Sequence, residues 1–217
     1  MLRDIKINKT QFIAIFLMAF LGIFAYSGIY GEYYGLVQTS DEFYDQTNMA
    51  DGWIYNTDFD DSAMNNINGF STQSERHAVV QSVADMENKP DITLHFAEKG
   101  EISKFYSTDG EDFNAQDASG VWLDERFADA RGLHGWDNIT FEFDNMTITK
   151  EIKGIGYSPE YVYEVSPSSL TPDFNEMGFA YLSHKAYPEN LEYNTLLVKY
   201  DLSDKEFVQK IDDSMDY

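Results

Sequence analysis

The chain has 217 residues, no cysteine, and 15 Lys and Arg against 38 Asp and Glu, for a formal net charge of −23. Such a surface repels phosphate backbones and excludes nucleic acid as a partner. With no disulfide to draw on, the fold must hold by its core alone, and a chain of this length is large enough to build one.

The first element is apolar. Between Lys9 and Glu32 lie 22 uncharged residues, about 33 Å as a helix against a hydrocarbon core of about 30 Å. The ten Phe, Ile and Leu residues from Phe12 to Ile29 favour insertion by roughly −3 to −6 kcal/mol. The run is longer than the apolar region of a secretory signal, and Tyr26, Tyr30, Tyr33 and Tyr34 stand where such a signal would carry small residues. It reads as a retained transmembrane helix, 11–31, with a tyrosine collar at the interface.

Arg3, Lys6 and Lys9 precede this span, and Glu32, Asp41, Glu42 and Asp45 follow it. The charge asymmetry predicts a cytoplasmic segment 1–10 and an extracytoplasmic part 32–217. Beyond residue 10 there are 12 basic and 37 acidic residues, a net −25. That part is expected to project away from anionic headgroups, although the same acidity also serves solubility. The absence of cysteine from an exported domain points to a bacterial surface. Ser27, Gly31 and Gly35 recur every four residues; they either form a face that lets a second helix approach closely or loosen the exit from the membrane. Phe12, Phe16, Phe20 and Phe24 form a second stripe at the same spacing.

The periodicity predicts that the helix closes near Thr47 and that a strand over 52–56 puts Trp53 and Tyr55 on one face. Asp60 or Asp61 caps a short helix through Ala63, Met64 and Ile67. Strands are predicted at 77–83, 92–96, 121–123, 138–143, 146–152 and 162–165. Asp144-Asn145 supplies the positive φ of a tight hairpin turn between two of them. Asp124 opens a helix with Phe127 and Ala130 inward and Gly132 as its stop. The tail repeats the strand-helix pattern: a strand over 195–200, a Ser203/Glu206 capping box, then an amphipathic helix carrying Phe207, Val208 and Ile211. The fold class is therefore α+β: one N-terminal transmembrane helix, then two strand-helix lobes bracketing a mostly β middle.

No recognisable site chemistry emerges. His77, His95, His134 and His184 lack metal-ligand spacing. Asp58-Phe59-Asp60-Asp61 and Asp109-Gly110-Glu111-Asp112 fail the calcium-loop pattern and read as solvated acidic turns. Gly156-Tyr157-Ser158-Pro159 is no nucleophile elbow, and no phosphate-cradling loop occurs. No cofactor or metal residue is assigned.

The segments LRDIKINKTQFIAIFLMAFLGIFAYSGI, NMADGWIY, DGEDFNAQDASGVWLDERFADARGL, DNITFEF and IKGIGYSPEYVYEV, taken in order, resemble the first membrane helix and external domain of FtsX-like (MacB-type) ABC transporter permeases. The order matches over nearly the whole chain. The resemblance implies a MacB-like extracytoplasmic core domain over 32–217 in a cell membrane. It implies a non-catalytic permease segment, serving export or mechanotransmission, driven by a separate cytoplasmic ABC ATPase subunit. Other permease helices or a second permease copy are the expected neighbours of Ser27, Gly31 and Gly35. The family's domain returns to the membrane, so the chain reads as a truncated piece of a longer permease. The family usually has a Gly-Asp turn before the strand that reads NITFEF; here Trp136 separates Gly135 from Asp137, and the turn is expected to be reshaped. Trp136, Tyr157, Tyr161 and Tyr163 are candidates for a contact surface, while Trp53 and Trp122 are expected in the core. The alternative is a single-pass, surface-anchored extracellular ligand-binding protein.

Overall fold

The computed structural model describes residues 9–56, 58–162 and 171–215. They fall into two compact units, residues 1–43 and 44–217.

The first unit is made by helix α1 (Lys9–Thr47), whose last turn belongs to the second. Every residue from Lys9 to Glu42 is exposed, and the helix is long and apolar enough to cross a membrane. Its 39 residues span about 58 Å, nearly twice a hydrocarbon core. The i, i+4 spacing stacks Phe16, Phe20 and Phe24 at 6.3 and 6.2 Å between ring centroids, and brings Tyr26, Tyr30 and Tyr34 to 5.9 and 5.1 Å.

Among its described residues the second unit is built on nine strands: β1 (Gly52–Tyr55), β2 (Gln73–Ala84), β3 (Asp91–Ala97), β4 (Tyr106–Gly110), β5 (Gly120–Asp124), β6 (Asn138–Phe143), β7 (Met146–Tyr157), β8 (Met177–Ser183) and β9 (Thr195–Lys199). Helices α2 (Asp61–Ile67), α3 (Glu125–Arg131) and α4 (Asp204–Met215) complete it. Six strands, β2-β3-β8-β5-β7-β6, form a ring that closes where Val83 and Ala84 pair with Glu142 and Phe141. The β3–β8 and β5–β7 pairs are parallel; the others in the ring are antiparallel. The 12-residue strands β2 and β7 each serve two neighbours along one edge. On β2, residues 73–77 take β9 and 83–84 take β6; on β7, 146–151 take β6 and 154–157 take β4.

Alternation decides which face is filled. Ile92, Leu94 and Phe96, Val121 and Leu123, Ile139, Phe141 and Phe143, Ile148 and Ile152, and Ala180 and Leu182 form one buried cluster inside the ring, joined by Phe127 and Ala128 of α3. On the opposite face of the central strands, Trp122, Phe179 and Tyr181 pack with Phe105. The two strand-helix units from the ends of the chain meet in space: β1 pairs with β9, and Met64 and Ile67 of α2 share a cluster with Leu196, Val198 and Phe207.

Most predicted boundaries hold. Asp60 accepts from Ala63 N at 2.8 Å, and Gly132 ends α3 at φ +65°. Asp144 and Asn145 take φ of +47° and +61°, and Ser203 N donates to Glu206 at 3.2 Å. Four details differ. Ala130 is exposed and Ala128 buried, because the covered arc of α3 is centred between Phe127 and Ala128, about 110° from Ala130. Val208 is exposed, lying about 100° round α4 from buried Phe207. Strands β4 and β8 were not predicted. Of the strand expected at 162–165, Val162 instead caps a 3₁₀ turn over Pro159–Tyr161, and the rest lies outside the described residues.

Candidate functional site

Strand β2 places Glu75 and His77 on one face and Arg76 on the other. Glu75 is 1% exposed, yet its carboxylate is well provided for. It accepts from the backbone N–H of Lys99 at 3.0 Å, of Glu101 at 2.7 Å and of Ile102 at 3.0 Å, and also from Gly100. Gly100 adopts φ +76°, and a Cβ there would meet the Phe113 ring at 2.4 Å. The site therefore requires glycine. His77 Nε2 completes the set at 3.1 Å from Glu75 Oε1; because an ionised carboxylate only accepts, the imidazole is the donor. Burial alone would push the Glu75 pKa up. The His77 hydrogen bond and charge and the Gly100 and Ile102 N–H groups outweigh it and bring the pKa to about 2.

Within the same unit, the loop that Glu75 organises also bonds Thr47 and Asn48. Lys104 N donates to Thr47 O at 2.7 Å, Ser103 N to Asn48 O at 3.0 Å, and Asn48 Nδ2 to Glu101 O at 2.8 Å. Lys199 Nζ adds a bond to Met49 O at 2.9 Å and one to Asp51 at 2.8 Å.

From His77 the polar line continues inward. His77 meets His95 of β3 edge to face, with centroids 5.7 Å apart, and His95 stacks flat on Tyr181 of β8 at 4.8 Å. His95 Nε2 lies 2.5 Å from Tyr161 Oη. Burial, reinforced by the His77 charge, pushes the His95 pKa well below the usual histidine range. The Nδ1 atoms of His77 and His95 are buried without a hydrogen bond. Tyr161 stacks on Phe179 at 4.5 Å, and the Tyr181 hydroxyl sits 3.0 Å from Ser158 Oγ.

This line ends at a cavity of about 380 Å³ lined by Trp53 and Tyr55 of β1, Val79 of β2, His95, Glu160, Tyr161, Asn56, Asn194 and Thr195. It opens where β9 leaves β2. The Asn194 side chain replaces the missing ladder by accepting from Val79 N and donating to Val79 O, both at 2.8 Å. Ser158 caps the Pro159–Tyr161 turn, and Trp53 Nε1 donates to Glu160 Oε1 at 3.1 Å. Trp53 is therefore a half-buried wall, with Ala50, Ile102 and Leu197 packed behind it, whereas Trp122 is fully buried. A second cavity, about 440 Å³, is lined by Thr108, Asp109, Glu125, Asp129 and His134 among others.

The residues singled out from sequence do not converge on one place. Tyr161 lines the first cavity. Tyr157 ends β7, where burial and a hydrogen bond to Glu125 raise its pKa. Trp136 is 57% exposed at φ +72°, with Lys153 Nζ 4.4 Å above its ring. Tyr163 lies outside the described residues. Ser27, Gly31 and Gly35 sit exposed on α1, and a Cβ at either glycine would meet nothing. His95, Glu160 and Asn194 were not singled out for binding; Ser158-Pro159-Glu160 reads locally as a capped turn, but nothing in it marks Trp53 as the partner.

No protein-family model matches the sequence, and no curated protein matches it. Among solved structures, the chain is similar to the extracellular domain of the ABC-type transporter YknZ from Gram-positive bacteria. The TM-score is 0.50 at 15% identity, over 75% of this chain and 92% of that one. The periplasmic region of MacB from Actinobacillus actinomycetemcomitans gives a TM-score of 0.43 at 11% identity, over 75% of this chain and 74% of that one. The chain is thus an α+β protein in which one long apolar helix leads into a sheet-rich domain with the fold of the YknZ extracellular domain.

Proposed function

We propose that the chain is a non-catalytic permease segment of an ABC transporter. In this reading residues 11–31 cross the membrane, 1–10 are cytoplasmic and 32–217 are extracytoplasmic. A separate cytoplasmic ATPase supplies the work, and Ser27, Gly31 and Gly35 face further permease helices or a second copy. The observation that carries the reading is the succession of a membrane-length apolar helix and a domain with the YknZ extracellular-domain fold.

Topology is tested in intact cells. Since the chain has no cysteine, Asn66→Cys, at an exposed position of α2, and Lys9→Cys give clean probes. A membrane-impermeant maleimide is expected to label the first and spare the second; the reverse pattern overturns the orientation. The cavity favours a second reading, a surface-anchored ligand-binding protein, in which no ATPase accompanies the chain.

A further inference from the structure

We propose that the Trp53 cavity binds an organic monocation, an alkylammonium group caged by Trp53, Tyr55 and Tyr161 with Glu160 as its counter-charge. Aromatic faces attract cations through their quadrupole, most strongly where water is partly excluded. The cavity, about 380 Å³, falls within the range of small-molecule sites. Glu160 brings a carboxylate into it and, among the described residues, pairs with no Lys or Arg. Its only side-chain hydrogen bond there comes from Trp53, which orients the carboxylate and leaves Oε2 for a ligand.

Three of the other polar side-chain groups on the wall are already committed. Asn194 bonds Val79 through both ends of its amide, Thr195 Oγ1 donates to Asn194, and His95 Nε2 bonds Tyr161. A hard divalent ion would find one carboxylate where it needs several oxygen ligands. The net −25 beyond residue 10 disfavours anions and raises the local concentration of cations. The assignment rests on the cavity alone and holds whether or not the chain assembles as a permease.

The test uses the full chain in detergent micelles with ¹⁵N-labelled tryptophan, titrated with butylammonium chloride. Butanol and sodium butyrate serve as neutral and anionic controls of the same length. The Trp53 indole N–H, identified by its loss in Trp53→Phe, is expected to shift saturably with butylammonium and with neither control. Glu160→Gln is expected to weaken binding about tenfold, and Tyr55→Ala, at a 73% exposed position that tolerates change, about threefold. Glu125→Gln in the other cavity leaves the affinity unchanged. Unaltered Trp122 and Trp136 signals show that each variant is folded. Should Glu160→Gln fail to fold, the Tyr55→Ala arm decides. No saturable shift, an equal response to butanol, or undiminished affinity in the folded variants overturns the proposal.

Discussion

Trp53 and Glu160, 107 residues apart, meet through an indole N–H that donates to the carboxylate across 3.1 Å. The bond ties β1 to the Pro159–Tyr161 turn and so fixes two walls of the cavity against each other. Behind Trp53 lie Ala50, Ile102 and Leu197, so the same side chain joins the wall to the core.

Phenylalanine at position 53 keeps most of that packing and removes the donor. Trp53→Phe is expected to cost about 1 kcal/mol and Trp53→Ala about 2 to 3 kcal/mol. Denaturant unfolding of the full chain in detergent, followed by circular dichroism, measures the difference.

Glu75 makes stability depend on acid. Its folded pKa, about 2, lies below the ordinary value of 4.5, so its contribution is complete above about pH 4.5 and is lost as pH falls toward 2. The contribution is on the order of 3 kcal/mol. Glu75→Gln is expected to lose about that much at neutral pH and to flatten the stability profile between pH 4.5 and 2; unfolding midpoints across that window check it.

His95 acts in a higher window. Its pKa is depressed in the folded state, so below about pH 6.5 the unfolded chain takes up a proton that the folded chain refuses. Stability then falls with decreasing pH, by up to about 1.4 kcal/mol per unit. His95→Phe, which keeps a flat ring on Tyr181, is expected to remove the part of the slope that begins at pH 6.5. A variant with the wild-type slope there would show that His95 titrates normally.

Trp136 occupies a backbone conformation that suits glycine, φ +72°. Trp136→Ala and Trp136→Gly both remove the ring under Lys153, but only glycine relieves the backbone. Trp136→Gly is therefore expected to be more stable than Trp136→Ala by about 1 kcal/mol, measured by the same unfolding experiment.

Elements bounded by local chemistry were legible in the sequence. Asp60 and Asp124 each cap the helix that follows, Glu206 reaches back to Ser203 N, and Asp144-Asn145 turns the hairpin. Strand β8 was not legible. It lies at the centre of the sheet, buried on both faces, and a run such as Gly178 to Leu182 has no alternation to read. Strand β4, Tyr-Ser-Thr-Asp-Gly, is a short polar edge that resembles a loop. The cavity was hidden for a different reason: Trp53, His95, Glu160 and Asn194 come from four distant segments, and only the register of β1, β9, β2 and β3, together with the turn that follows β7, brings them together. Glu75 looked like one acid among 38, since the N–H groups that define it belong to a loop beyond the next strand.

The permease reading is tested most directly by purifying the natural gene product from its own membranes in mild detergent and assaying for a bound ABC-type ATPase, identified by its Walker A peptide and its ATP hydrolysis. A stoichiometric, active ATPase is the expected result. The chain recovered with full retention of its fold but no ATPase and no ATP hydrolysis would contradict the reading.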